Sequence, residues 1–446
     1  MPSHKPLVAI VGRPNVGKST FFNRIAGQRI AIVEDTPGVT RDRIYADAEW
    51  TGRKFTMIDT GGIDPKSEDV LLSQMRRQAE IAMDVADVIC FFTDVRTGLT
   101  PDDMEIANLL RRTRKPVVLA VNKVDYIGLN NEIYDFYSLG LGDPVGISAA
   151  NMMGLGDLLD EIVHALPEYE EDPSEDENHV IQLAVVGRPN VGKSSIVNRL
   201  LGQERTMVSD IPGTTRDAID TGYTDGDGTE FNIIDTAGIR RKRAIEEASL
   251  ERYSVLRSIS AISRCDVALL MIDANDGVTE QDARIAGMIH DEGKAAVVVV
   301  NKWDSIEKET GTYEQKKKEV LEALKFMDWA PVLFVSALTG QRVNQVLDTV
   351  KQVWGQASRR ITTGALNDVL GDAQVALQPP LVNGRKLKIY YATQQSVCPP
   401  TFVLFVNRED LMHFSYQRYL ENQIRKAFGF DGTPLRFILR EKTKED

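Results

Sequence analysis

The nine residues VGRPNVGKS stand at positions 11–19 and return, letter for letter, at 186–194. Each copy fits GxxxxGK[ST], follows an apolar strand-sized run (LVAIVG at 7–12 in the first) and opens an amphipathic helical stretch (KSTFFNRIAG at 18–27). In that context the glycines let backbone N–H groups close around phosphates, and the helix N-terminus adds a partial positive charge. One match could be accidental; two, each between a strand and a helix, are not. A phosphate loop used twice makes this an α/β protein with two nucleotide sites.

The duplication extends beyond the loop. PGVTRD (37–42) returns as PGTTRD (212–217), DTGGI (59–63) as DTAGI (235–239), NKVD (122–125) as NKWD (301–304), and SAA (148–150) as SAL (336–338). The offsets grow slowly, 175, 175, 176, 179 and 188, as loop insertions accumulate. Five motifs in one order, at a period far longer than a solenoid repeat, mean a duplicated domain. Between the copies, LPEYEEDPSEDENH (166–179) carries seven acids and two prolines, a composition that self-repels into an extended tether. QASRRITTG (356–364) marks a second boundary. The expected organisation is residues 1–166, an acidic linker 167–179, residues 180–356, and a C-terminal domain 357–446.

Within each copy, Val/Ile/Leu-rich runs alternate with amphipathic stretches. In the first, LVAIVG, FTMIDT, DVICFFTD, PVVLAVN and PVGIS read as strands, and KSTFFNRIAG, SQMRRQAEIAMDVA, DMEIANLLRRT and LGDLLDEIVHAL as helices. Such alternation predicts a mostly parallel sheet with helices on both faces. Residues 357–446 read as helix, strand, strand, helix, strand, an α+β unit.

Composition narrows the class. No apolar run is long enough to span a bilayer, and no signal-like segment opens the chain. Cys90, Cys265 and Cys398 form no CxxC pair, and the five histidines show no metal-site spacing. These features predict a reduced, cytoplasmic protein with no membrane association, and nothing predicts more than a monomer. The net charge of −12 is uneven: residues 357–446 hold 13 Lys+Arg against 9 Asp+Glu, whereas the rest holds 40 against 56. Local patches, not the total, therefore decide the partners.

Each motif has a chemical part. Gly12, Arg13, Pro14, Asn15, Val16, Gly17, Lys18 and Ser19 form the first phosphate loop, and Gly187, Arg188, Pro189, Asn190, Val191, Gly192, Lys193 and Ser194 the second. Lys18 and Lys193 would reach the β- and γ-phosphates, and the Ser19 and Ser194 hydroxyls would ligate Mg²⁺. Asp59 and Asp235 end strands where a carboxylate can hold Mg²⁺ through water. Gly62 and Gly238 can offer N–H groups to the γ-phosphate, within the stretches Thr60, Gly61, Ile63 and Thr236, Ala237, Ile239. Thr40 and Thr215 could complete the Mg²⁺ shell when a γ-phosphate is present, ordering a switch. In NKVD and NKWD (Asn122, Lys123, Val124, Asp125; Asn301, Lys302, Trp303, Asp304), the Asp can accept from guanine N1–H and N2–H₂. Adenine would leave that carboxylate unpaired, which excludes an ATPase. Asn122 and Asn301 would tie this loop to the phosphate loop, and Ser148–Ala149 and Ser336–Ala337 would place a backbone N–H on guanine O6. Many small GTPases follow DxxG with a water-orienting glutamine; here Ile63 and Ile239 stand there, so unaided turnover should be slow.

The paired GRPNVGKS, GxTRD, DTxGI and NKxD motifs resemble the translation-factor-related GTPases of the Era/TrmE type, and two such domains in tandem resemble the double-Era family Der, also called EngA. The resemblance covers essentially the whole chain. It implies two P-loop GTPase domains with GTP/GDP and Mg²⁺, a C-terminal KH-like domain, and a role in assembly of the large (50S) ribosomal subunit. It also matches Asn15 and Asn190 to a position that helps bind K⁺ in related GTPases; the other reading is that asparagine suits the loop turn. The α-β-β-α-β tail looks like a bacterial-type KH domain, yet the region of its RNA-clamping GxxG loop, near HFSY (413–416), has no glycine. A literal GFDG at 429–432 precedes the last strand and reads as a turn. Basic residues still point to rRNA: Arg385, Lys386 and Lys388 beside Tyr390 and Tyr391, then Arg418, Arg425 and Lys426, and above all the four cations Arg240, Arg241, Lys242 and Arg243 after DTAG. An RNA-modification or signalling GTPase of the Era/TrmE type, with a protein partner, is the alternative. Cys398 in the turn SVCPP weighs against it, because TrmE relatives carry a reactive C-terminal cysteine. A scaffold with vestigial sites conflicts with both copies being complete.

Overall fold

The computed structural model describes residues 5–26, 45–60, 71–125, 127–168, 179–202, 220–234, 257–382 and 384–441. The chain divides into two compact units, residues 1–171 with 245–263, and residues 172–244 with 264–446.

The first unit holds a six-stranded sheet in the order β2-β3-β1-β4-β5-β6. Its strands are β1 (Leu7–Gly12), β2 (Tyr45–Trp50), β3 (Arg53–Asp59), β4 (Val88–Asp94), β5 (Val117–Asn122) and β6 (Pro144–Gly146). All neighbours are parallel except β2 with β3. The uninterrupted apolar sequences of β1 and β4 follow from burial on both faces. Val8, Ile10, Cys90 and Phe92 pack with Phe21 and Ile25 of α1 (Lys18–Ala26) and with Leu158 and Ile162 of α4 (Leu155–Ala165). Ala9, Val11, Ile89 and Phe91 pack with Met75 and Ala79 of α2 (Leu71–Val85) and Ile106 and Leu110 of α3 (Pro101–Leu110). Because the central strands are parallel, β1, β3, β4 and β5 end at one edge of the sheet: Asp59 is in register with Ile10, Gly12 with Phe92, and Asp94 with Asn122. The strand β2, YADAEW, is absent from the sequence reading. Its core face is Ala46, Ala48 and Trp50, so two of its three inward residues are small and the apolar signal is weak.

The second unit repeats the plan. Its sheet order is β12-β11-β10-β7-β9-β8, with β7 (Ile181–Val186), β8 (Thr221–Thr224), β9 (Glu230–Ile234), β10 (Val267–Asp273), β11 (Ala295–Asn301) and β12 (Val332–Phe334). Helices α5 (Lys193–Gly202), α6 (Glu280–Asp291), α7 (Thr312–Ala323) and α8 (Asn344–Ala357) connect the described strands.

The same unit contains the C-terminal α+β domain. It comprises α9 (Thr363–Ala376), a two-residue ladder of β13 (Leu381–Val382) with β14 (Arg385–Lys386), then β15 (Ile389–Ser396), β16 (Thr401–Val406), α10 (Phe414–Phe428) and β17 (Arg436–Glu441). β16 lies between β15, antiparallel, and β17, parallel. The second helical stretch of this domain in the sequence, EDLMHFSYQRYLENQIRKAF (409–428), is divided: a 3₁₀ turn, Glu409–Leu411, precedes α10, and the His413 ring accepts from Ser415 N–H as the helix cap.

GFDG is indeed a turn, and it docks this domain on the second sheet. Gly429, Phe430 and Gly432 all have positive φ (88°, 67° and 81°). Phe430 is fully buried against Phe402, and its N–H donates to Gln356 Oε1 at 2.8 Å. Gly432 donates to the Trp329 carbonyl and accepts from Ala296 N–H, both at 2.8 Å, adding its backbone to the start of β11. A Cβ on Gly432 would lie 2.3 Å from Val353, so the close approach requires glycine.

Candidate nucleotide-binding sites

The strand ends of the first unit open onto a cleft of about 630 Å³, within the range of small-molecule sites. Pro14, Asn15, Gly17, Lys18 and Ser19 line one end, and Asn122, Lys123, Asp125, Ser148 and Ala149 the other. Lys18, the first residue of α1, is buried, and its ammonium donates to the carbonyls of Gly12 (2.5 Å) and Arg13 (2.7 Å). Burial pulls its pKa down to about 8, with Asp59 opposing and Arg13 reinforcing that shift. The Ser19 hydroxyl donates to Asp59 Oδ2 at 2.7 Å, so two oxygen donors from different elements converge beside the lysine. A hard, all-oxygen pair of this kind fits Mg²⁺. Arg13 is braced from behind, its Nε donating to Asp103 Oδ1 at 2.8 Å. Asp103 is fully buried and also closes the capping box of α3 with Thr100.

Asn122 joins the two ends of the cleft. Its Nδ2 donates to the Val16 carbonyl at 2.6 Å, and its Oδ1 accepts from Ala149 N–H at 2.9 Å. The approach is so close that a Cβ on Gly17 would sit 2.1 Å from Asn122 Nδ2. Both N–H groups of the Ser148–Ala149 pair, one of which the sequence pointed at guanine O6, are committed, Ala149's to Asn122 and Ser148's to the Met153 carbonyl. The next N–H, that of Ala150 in the same cleft, has no partner among the described residues. Lys123 has a left-handed φ of 69° and reaches back to Asp94 Oδ2 at 2.5 Å. Asp125 receives hydrogen bonds from Ser148 and Asn151 and pairs with Arg96; the Ser148 bond leads in lowering its pKa.

The second unit carries the same construction. Lys193 donates to the carbonyls of Gly187 and Arg188. Asn301 donates to Val191 O at 2.8 Å and accepts from Ala337 N–H at 3.0 Å, and a Cβ on Gly192 would lie 2.2 Å from its Nδ2. Lys302 pairs with Asp273; burial works against that carboxylate's charge, but Lys302 and Asn275 bonds bring its pKa below the usual value. The brace behind the loop is looser. Arg188 lies 3.5 Å from buried Asp282, whose pKa is raised chiefly by burial, and pairs mainly with exposed Asp276.

Four acids that build the sites, Asp94, Asp103, Asp273 and Asp282, escaped the motif reading. A lone acid at a strand end or helix start has no signature. The signal lies in the repeat itself: DVRTGLTPDD (94–103) aligns with DANDGVTEQD (273–282) at the NKxD offset of 179. Gln78 of α2 also lines the cleft, with Oε1 buried and without a hydrogen-bond partner among the described residues. Asn15 and Asn190 hold left-handed φ values of 64° and 67°, for which the loop turn alone accounts. Thr40, Gly61, Gly62, Ile63, Thr215, Asp235, Thr236, Ala237, Gly238, Ile239 and Arg240–Arg243 lie outside the described residues, as does most of the acidic linker. Among the candidate RNA-contacting residues, Arg385, Lys386, Lys388 and Lys426 are exposed, and Arg418 pairs with Asp328 at the surface. Arg425 is committed elsewhere: its guanidinium bonds Glu421 and the carbonyls of Phe430 and Thr433, fixing the GFDG turn. No helix among the described residues is long and apolar enough to cross a membrane.

Comparison with known proteins agrees with this plan. A family described as "50S ribosome-binding GTPase" matches residues 7–123 and again 182–302. A second, "KH-domain-like of EngA bacterial GTPase enzymes, C-terminal", matches 360–440. The GTPase Der of Acetivibrio thermocellus is 60% identical over 442 residues, covering 99% of this chain and all of that protein. The GTPase Der of Alkaliphilus oremlandii is 58% identical over the same length, with the same coverage. Among solved structures, Aquifex aeolicus Era bound to GDP.AlF4- is 21% identical, covering 59% of this chain and 93% of that one, at a TM-score of 0.30.

Proposed function

The chain belongs to the Der (EngA) family and is a GTPase; from that premise we propose that it acts as a nucleotide-gated factor in assembly of the large ribosomal subunit, in the cytoplasm. The observation that carries this reading is the match of both GTPase halves to a ribosome-binding GTPase family, in a chain that keeps both phosphate loops and both NKxD loops complete.

The residues divide the work as follows. Each phosphate loop wraps the phosphates with backbone N–H groups, and Lys18 or Lys193 exchanges its two loop carbonyls for β- and γ-phosphate oxygens. Ser19 with Asp59, and Ser194 with Asp235, would hold Mg²⁺, which would supply charge neutralisation at the phosphate oxygens; Thr40 and Thr215 would join them only with GTP. Asp125 and Asp304 read the guanine edge, while Asn122 and Asn301 keep base loop and phosphate loop at fixed separation. With Ile63 and Ile239 after DxxG, no side chain there orients the attacking water. The backbone N–H of Gly62 or Gly238 offers electrostatic help, K⁺ would add to it if held near Asn15 or Asn190, and turnover is slow until a partner completes the site. Arg240–Arg243 contact rRNA phosphates in one nucleotide state.

The test is co-sedimentation of the full chain with purified ribosomal subunits, loaded with GDP or with a non-hydrolysable GTP analogue. Binding to the large subunit in the GTP-like state alone is expected. Binding to neither subunit in either state refutes the ribosomal role and leaves a GTPase with another partner.

A further inference from the structure

The two base-reading carboxylates are not equivalent. Asp125 Oδ1 accepts from Ser148 Oγ at 2.5 Å and Asn151 Nδ2 at 3.0 Å, while Oδ2 pairs with the Arg96 guanidinium. A carboxylate offers about four lone-pair positions. Oδ1 is filled by two donors and Oδ2 keeps one position beside Arg96, whereas guanine N1–H and N2–H₂ need two. One resident donor must therefore leave when the base arrives. Ser148 is fully buried and bonded to the Asn151 backbone. Arg96, by contrast, sits at the cleft rim on a long side chain that is 59% exposed. Asn151 is exposed as well but is a neutral donor; among the described residues Arg96 is the charged donor on Asp125, so its competition with the base is the strongest of the three and the one that salt screens.

The repeat supplies the comparison. At the offset of 179 that relates NKVD to NKWD, Arg96 corresponds to Asn275. The Asn275 side chain is tied away from the base site, its Nδ2 donating to Asp273 Oδ1 and its Oδ1 accepting from Ser305 Oγ, both at 2.9 Å. Ser336, counterpart of Ser148, accepts from Thr339 N–H at 3.0 Å. Asp304 is exposed and has no side-chain donor among the described residues.

We propose that Arg96 is a latch on the guanine-reading carboxylate of the first site, and that the absence of this latch makes the second site intrinsically the tighter guanine site. The inference rests on Asp125 and Asp304 being the base readers. The latch is specific to the base end, leaves the phosphate loop untouched, and loads the two sites in order as guanine nucleotide rises. Because an exposed ion pair is modest and screened by salt, it should weaken the first site only about two- to fivefold at low ionic strength.

The experiment uses the full chain with Lys193→Ala, so that calorimetric titration with GDP reports the first site. Arg96→Asn, which installs the counterpart residue, should raise affinity about two- to fivefold at 50 mM salt, and the ratio to the unmutated site should approach one near 1 M. In a Lys18→Ala chain, Asn275→Arg should weaken the second site by a similar factor. Unchanged affinity in Arg96→Asn overturns the latch, and so does a loss, which would mean that Arg96 supports the base. Asp125→Asn separates this from the underlying reading: it should trade GDP for XDP, because xanthine presents an acceptor where guanine presents an amino group. If Asp125→Asn leaves GDP binding intact, the base-reader assignment itself fails, whatever Arg96 does.

Discussion

At the scale of single residues, the sites are organised by contacts too close for substitution. Gly17 combines a φ of 99° with an approach that would put a Cβ 2.1 Å from Asn122 Nδ2. Gly17→Ala should therefore push Asn122 off the Val16 carbonyl and cost on the order of tenfold or more in first-site GDP affinity. Titration of the Lys193→Ala chain would measure it. Lys18 gives a second expectation. Its pKa near 8 means that the ammonium is charged below that pH and loses its charge above it. First-site affinity should fall as pH rises from 7 to 9, over a range in which an ordinary lysine at 10.5 would barely respond; bound phosphate, favouring the charged form, moves the midpoint upward. Lys18, Asn122 and Asp125 were legible in the sequence because each belongs to a spaced motif. Asp94, Asp103 and Arg96 were not, because nothing local distinguishes them from solvated turn residues. Only the internal duplication exposes them.

At the scale of elements, helix α3 does two jobs through one side chain. Asp103 closes the capping box with Thr100 and neutralises Arg13 of the phosphate loop. Asp103→Ala removes both and strands a guanidinium whose side chain is 14% exposed, so a loss of roughly 3 kcal/mol is expected. Thr100→Ala removes only the cap and should cost about 1 kcal/mol. Urea denaturation of the two variants separates the contributions, and equal losses would mean that the Arg13 brace contributes nothing. The strands β1, β4 and β5 were legible because burial on both faces makes them continuous apolar runs. β2 was not, since an edge strand that buries alanines resembles a loop. The split of the expected last long helix into a 3₁₀ turn and α10 was also hidden, because the cap is a histidine rather than one of the usual Ser, Thr, Asn or Asp residues.

At the scale of the molecule, the second GTPase domain and the C-terminal domain belong to one compact unit, seamed by the GFDG turn. Phe430→Ala should cost about 3–5 kcal/mol of the unit's stability, read by denaturation. The seam also has a pH signature. His290 at the end of α6 stacks near Trp329, and burial, with Arg436 and Arg425 nearby, lowers its pKa to about 4 against the weaker pull of Asp328. A histidine held neutral in the fold but free to protonate when unfolded destabilises the fold as pH falls from about 6.5 towards 4, and has no effect above that window. Replacing His290 with glutamine should flatten the thermal-stability profile there. From the sequence, GFDG could be placed as a turn but not as a dock, since its partners, Gln356, Trp329 and Ala296, lie on three other elements. That the molecule carries two guanine-nucleotide sites of different affinity is tested most directly by calorimetric titration of the full chain with GDP. Two binding events per chain are expected, the tighter lost in Lys193→Ala and the weaker in Lys18→Ala. A single event, or two that remain indistinguishable after either substitution, would contradict it.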